Sequence, residues 1–349
     1  MYTIIFVIVL MLSAFGILSK KKFPFHIISV ILIVFAGFRG VDVGRDTHYY
    51  HDAFDAIVNN GKVYINEWGY IYFIKFINFI GGTQQMVLLI CSAITIKGIS
   101  KFILRYSNNI YISILIFFCV GPFYLATFNQ VRQYLAIGLF LGYALPLIQQ
   151  SRFIPYLIWI FLISFFAHLS AVILIPVYFV LNRTYSILFK LVIILISLFT
   201  VKVLVFIIQL TPYSYFITRR SDIEFEATLV ILEVIIAFFI LFFDYFNQKK
   251  NSYDLTIFFN MSFISLILLM LIIINENLPF EIFLRLNNYF FPFMLILIPS
   301  LLNYFQFKIR NLFSFLLVFM LSLYYWRSAI LLGELYDLAP YSSNFNLIN

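Results

Sequence analysis

Charge is the scarcest commodity in this chain. Asp, Glu, Lys and Arg make up 11% of its 349 residues, against 63% hydrophobic residues and a mean hydropathy of +1.01, which excludes a soluble globular domain. The two cysteines, Cys91 and Cys119, sit inside apolar runs with no partner motif, so neither a disulfide framework nor a metal site is readable. They read as small packing residues. No basic residue precedes the first apolar run, Tyr2 to Leu18, whereas Lys20, Lys21 and Lys22 follow it. That is the reverse of a cleavable signal peptide, so the run is expected to stay as a first span. Zinc motifs, a P-loop and a GxSxG elbow are all missing. So is any basic stripe interleaved with aromatics in a soluble segment, which removes nucleic acid as a partner and leaves the +8 net charge to membrane topology.

What fills the chain instead is a succession of apolar runs of about 17 to 25 residues, each long enough to cross a hydrocarbon core as a helix. The expected fold is an all-α polytopic integral membrane protein. Spans are expected near 2–18, 23–38, 83–104, 110–127, 131–148, 153–167, 169–181, 185–208, 226–246, 255–275, 285–302 and 311–330, twelve crossings in all. The run from 153 to 182 is split at Ala167 and His168 because two passes keep Lys249, Lys250, Lys308 and Arg310 on the side of Lys20 to Lys22. Residues 1–349 are read as one membrane domain, with a first external loop at 39–82 and a second at 209–226.

With the lysines inside, the outer side collects arginines: Arg39, Arg45, Arg132, Arg219, Arg220, Arg285 and Arg327. The positive-inside rule disfavours that placement, and a guanidinium fork suits bidentate binding of phosphate or carboxylate. Ordinary pairing with loop acids is the competing reading for each.

Polar residues concentrate between Arg39 and Tyr70. Gly40 and Gly44 allow tight backbone around Asp42, and Asp46 opens a helical stretch on which Tyr50, Phe54, Ile57 and Val58 share a face. Asp46 is either a functional acid or an N-cap. Glu67 begins a short apolar segment, Trp68 to Ile80, expected to lie in the interface as a half-helix. Farther on, Asn129, Gln130, Arg132 and Gln133 crowd a membrane edge, where polar groups are costly and mark functional candidates. His168 is either a packing histidine or part of a site.

Taken in order, the residues Arg39, Gly40, Val43, Gly44, Asp46, Thr47 and Tyr50, then Glu67, Gly69 and Tyr70, then Phe128 to Ala136, then Ala167, His168 and Ser170, and finally Arg285, Leu286 and Tyr289 resemble the EpsG-like branch of Wzy-type bacterial polysaccharide polymerases. Arg45 departs from the pattern, where a small polar residue such as Thr is expected. The resemblance implies a GT-C-like architecture and a metal-independent, cofactor-free membrane glycosyltransferase in the bacterial inner membrane, its active site facing the periplasm. It implies transfer of a growing glycan from undecaprenyl diphosphate to another lipid-linked repeat unit, lengthening O-antigen, capsule or exopolysaccharide, with a chain-length regulator as a candidate partner. Arg39, Arg132, Arg285 and Arg45 would then hold the diphosphate. Asp46 or Glu67 would take the acceptor proton, with His168 a second base or a phosphate-orienting group. Tyr50, Tyr70, Gln130, Gln133 and Tyr289 would meet sugar or lipid. A flippase or exporter of lipid-linked glycans and an O-antigen ligase are the rival readings, with an acyltransferase resting on His168 alone as a weaker third.

Overall fold

Without water at their sides, backbone N–H and C=O groups must pair within their own segment, so the apolar runs become helices. The computed structural model describes residues 1–199, 203, 206, 209–210, 231, 233–241, 243, 253–274, 280–303, 305–335 and 337–348, and among these every regular element is a helix. Among the described residues, five helices are long and apolar enough to cross a membrane: α1 (Tyr2–Ser19), α5 (Gln84–Tyr106), α7 (Val131–Gln149), α11 (Tyr253–Ile274) and α14 (Phe307–Leu335). Between them lie α2 (Phe23–Gly37), α3 (Thr47–Val58), α4 (Trp68–Phe79), α6 (Ile110–Cys119), α8 (Phe153–Phe166), α9 (Leu174–Leu181), α10 (Ile187–Phe199), α12 (Phe280–Asn287) and α13 (Met294–Leu302). Beyond Leu210 the expected second external loop, with Arg219 and Arg220, lies outside the described residues.

Two expected spans are corrected. The run 110–127 is helical only to Cys119, then turns through Gly121 and Pro122 into a 3-10 segment, Leu125–Phe128. Pro122 cannot donate to a helical ladder. The Tyr124 hydroxyl donates to Leu32 O at 2.7 Å and that of Tyr134 to Pro122 O, so the irregular backbone is held from the side. The run 285–302 is likewise not one helix. Asn287 closes α12, turns follow, and Pro292 sits in a 3-10 turn ahead of α13. The break expected at Ala167 and His168 is present, with α8 ending at Phe166 and a 3-10 turn, Leu169–Ile173, leading into α9.

The chain forms two compact units, residues 1–175 with 298–349, and residues 176–297. In the first, α5 packs on α2 and α7. The contact with α7 is backbone to backbone, because a Cβ on Gly98 would overlap the Gly138 carbonyl and one on Gly142 would meet Gly98. Small residues at such a crossing replace the hydrophobic drive that lipid cannot supply. A π-helical turn, Phe140–Ala144, interrupts α7 beside that contact. In the second unit Leu269, Leu271, Ile272 and Phe283 form an apolar cluster. There the Asn260 amide donates to Leu181 O and Arg183 O at 2.9 and 2.7 Å, satisfying carbonyls at the end of α9.

At one end of the first unit, residues 337–348 return as an extended strap over the loop between α2 and α3. Gly40 N donates to Ser342 O at 2.9 Å, Gly44 N to Asp337 O at 2.7 Å, Asn344 N to Phe38 O at 2.8 Å and Thr83 N to Leu347 O at 3.0 Å. Tyr341 stacks on Phe35, with 4.3 Å between centroids, and the Tyr2 hydroxyl donates to Leu338 O at 2.7 Å. The N-terminal helix, the first loop and this tail thus touch at one end of the unit.

Candidate functional site

The short helix α4 starts at Glu67, whose carboxylate does not cap it. It turns instead towards α7 and the break after α8. Glu67 Oε1 accepts from Leu169 N at 2.9 Å and lies 2.8 Å from His168 Nδ1, while Oε2 pairs with Arg132 Nη1. Gly69 permits the approach, since a Cβ there would come within 2.6 to 2.7 Å of Phe165 and Phe166 atoms, among them the Phe165 carbonyl oxygen. Gly69→Val should therefore cost about 2 kcal/mol of stability through overpacking. Its unfolding temperature in detergent, set against that of Trp68→Ala on the exposed face of the same helix, checks this.

Burial alone would raise the Glu67 carboxyl, but the His168 hydrogen bond, the Arg132 charge and the Leu169 amide outweigh it and hold it down at about 2. An ionised carboxylate only accepts, so the 2.8 Å contact requires the proton on His168 Nδ1, and in the neutral ring Nε2 is then the acceptor. Arg132 lies over the Tyr70 ring at 5.8 Å, and its Nε–H is buried without an acceptor among the described residues. The Glu67 side chain is only 3% exposed, whereas Arg132 and His168 keep 16% and 22%. The acid is thus sealed behind the two groups that remain reachable.

The α3 segment supports this cluster from the other side. The Tyr50 hydroxyl donates to Asn129 O at 3.1 Å, one turn before Arg132, and Asn129 Oδ1 accepts from Asp46 N at 3.4 Å. Asp46 occupies the N-cap position of α3, yet its side chain makes no cap hydrogen bond and stays half-buried. Gln130 is half-buried at the start of α7 and Gln133 is buried one turn into it, while Arg45 is exposed on the loop.

Arg39 requires a correction. The sequence groups it with the diphosphate-binding arginines, but it is fully buried. Nη1 donates to Ala36 O at 2.6 Å, Nη2 to Phe128 O at 2.9 Å and Nε to Thr47 Oγ1 at 3.3 Å, with the guanidinium 5.2 Å over the Phe128 ring. Its fork is occupied by the protein, so Arg39 ties the end of α2 and the start of α3 to the 3-10 segment ahead of α7 rather than facing a ligand. Arg39→Met should strand two buried carbonyls and cost about 3 kcal/mol or more. Membrane accumulation of that variant should drop, whereas a ligand-binding arginine would leave accumulation normal and remove activity alone.

Arg285 and Tyr289 belong to the second unit, Arg285 exposed in the last turn of α12 and Tyr289 fully buried after it. There, the buried Glu233 accepts from Asn287 Nδ2 at 3.5 Å. Sequence reasoning singled out Glu67, Arg132 and His168 separately, and missed that they form one cluster. The backbone role of Leu169 and the strap left no signal of their own.

The whole arrangement offers a fixed imidazole acceptor, a half-open guanidinium and an aromatic wall, on a chain with helices suited to a membrane. Among known protein families, the model described as the EpsG family matches residues 22–343. No curated protein and no solved structure matches the chain.

Proposed function

Since the chain belongs to the EpsG family, we propose that it is a polysaccharide polymerase, a membrane glycosyltransferase of GT-C type that works at the outer side of the bacterial inner membrane. The observation that carries this reading is the convergence of Glu67, Arg132 and His168, supplied by three separate stretches of chain, on one partly exposed cluster. The substrate is a glycan on undecaprenyl diphosphate, and the acceptor is a hydroxyl at the non-reducing end of a second lipid-linked repeat. His168 Nε2 takes the acceptor proton, the acceptor oxygen bonds to the anomeric carbon, and the carbon–oxygen bond to the diphosphate breaks. Arg132 neutralises the departing diphosphate. Glu67 holds both partners, fixing the histidine tautomer and aiming the guanidinium. Asp46 and the exposed Arg45 line the same approach. No metal or cofactor enters the scheme.

The test is genetic and direct. Deletion of the gene should leave single repeat units on the surface carrier, and wild type but not Arg132→Ala should restore the ladder of chain lengths at matched membrane levels. Full-length polymer accumulating unattached would point to a ligase. Single units trapped on the cytoplasmic leaflet would point to a flippase.

A further inference from the structure

A polar cleft lies in the first unit, lined by none of Glu67, Arg132 and His168. It encloses about 230 Å³ and is lined by His51 and Asp55 of α3, Phe54 between them, Gln84 and Gln85 at the start of α5, and Asn346 of the strap. Gln84 is 4% exposed, and neither its amide nitrogen nor its amide oxygen has a partner among the described residues. Gln85 spends its amide N–H groups on Gly37 O and Arg39 O at 2.6 and 3.2 Å, which leaves its Oε1 without a donor. His51 Nε2 is equally unmatched, and burial lowers that imidazole below its ordinary value. An amide buried with both ends unmet is costly, so its retention here points to a ligand that brings donors and acceptors together.

The lining selects among such ligands. Among the described residues no Lys or Arg borders the cleft and Asp55 is its one carboxylate, so an anion gains nothing there and meets a negative charge. A hydroxyl both donates and accepts, which is what the unmatched atoms of Gln84 and Gln85 together require, with the exposed Asn346 beside them. Phe54 supplies an apolar surface for a ring face. The strap completes the enclosure, Thr83 Oγ1 donating to Asn346 O at 2.5 Å. The same helix, α3, carries Tyr50 towards α7 and presents His51 and Asp55 to the cleft.

We propose that this cleft is a subsite for a neutral sugar ring of the glycan, remote from the reacting bond and holding a distal residue of the chain. The choice of a glycan rests on the polymerase reading, whereas the preference for an uncharged, hydroxyl-rich ring rests on the lining alone. Full-length protein in lipid nanodiscs would be titrated with hexasaccharides of glucose, of N-acetylglucosamine and of galacturonic acid, with binding read by saturation-transfer NMR. At least one neutral oligosaccharide should bind wild type, and galacturonate should bind about tenfold more weakly or not at all. Gln84→Leu and Asn346→Leu should each lose about tenfold in neutral-sugar affinity, the size expected for one hydrogen-bonding partner. Asn346 is exposed on the strap, so its variant keeps the test open where Gln84→Leu fails to fold. Asp55→Asn should admit galacturonate. Failure of every neutral oligosaccharide on wild type, or undiminished binding by both leucine variants, would overturn the subsite. A chain that binds these sugars yet whose deletion leaves the ladder intact would overturn the polymerase reading and leave the cleft standing.

Discussion

Arg132→Lys will reduce chain elongation by about 100-fold although the positive charge is kept. The guanidinium does two things at once. One edge is held by Glu67 Oε2 and the guanidinium lies over Tyr70, while Nε–H has no acceptor among the described residues. A lysine ammonium is a single point of charge. It can satisfy Glu67 or reach an incoming diphosphate oxygen, and the shorter planar contact with the ring is lost in either case. The measurement is the ladder of chain lengths at equal membrane levels. A normal ladder from Arg132→Lys would show that charge alone suffices and would remove the fork from the mechanism.

Glu67→Gln will cost more, about 1000-fold in turnover, on a side chain of nearly unchanged shape. The carboxylate presents acceptors on both sides, to Arg132 through Oε2 and to His168 and Leu169 through Oε1. An amide has one oxygen. Whichever way it is turned, an N–H₂ faces a donor, so either the arginine loses its anchor or the imidazole loses the hydrogen bond that fixes its tautomer. The acid response distinguishes this variant from a simple loss of packing. Glu67 is held at about 2, below its ordinary 4.5, so its contribution to stability is complete above pH 4.5 and disappears as pH falls towards about 2. The unfolding-temperature gap between wild type and Glu67→Gln should accordingly be widest at neutral pH and close over that interval. A gap that stays constant down to pH 2 would mean the carboxylate is not what the cluster uses.

Helix placement was legible because hydropathy in a membrane sequence reports directly on backbone pairing. Even the break at Ala167 and His168 could be read, from the side on which later lysines must fall. Where a proline or glycine interrupts an apolar run, as at Gly121–Pro122 and Pro292, the composition still reads as one span while the backbone does not. The candidate residues were legible singly, since a charge at a membrane edge stands out. Their partners were not. Arg39 and Arg132 look alike as arginines in polar stretches, and only their packing shows that one is surrounded by carbonyls and the other by a carboxylate, a tyrosine face and solvent. The Glu67 to His168 contact joins residues a hundred positions apart, across a helix end whose direction no periodicity encodes. The strap is an ordinary polar tail by composition, and its hydrogen bonds run through backbone groups that every sequence possesses.

The strap joins parts of the chain made at very different times. The loop at Gly40 and Gly44 is synthesised early, yet the carbonyls that receive its amides, those of Ser342 and Asp337, come some three hundred residues later. Domains assemble as the ribosome delivers them, amino-terminal parts first. Here that order is partly suspended. The early loop must wait until α14 is made and the following residues fold back, so a translation product stalled after α9 but before Asp337 can carry helices α1 to α9 and still lack the strap that holds the loop between α2 and α3.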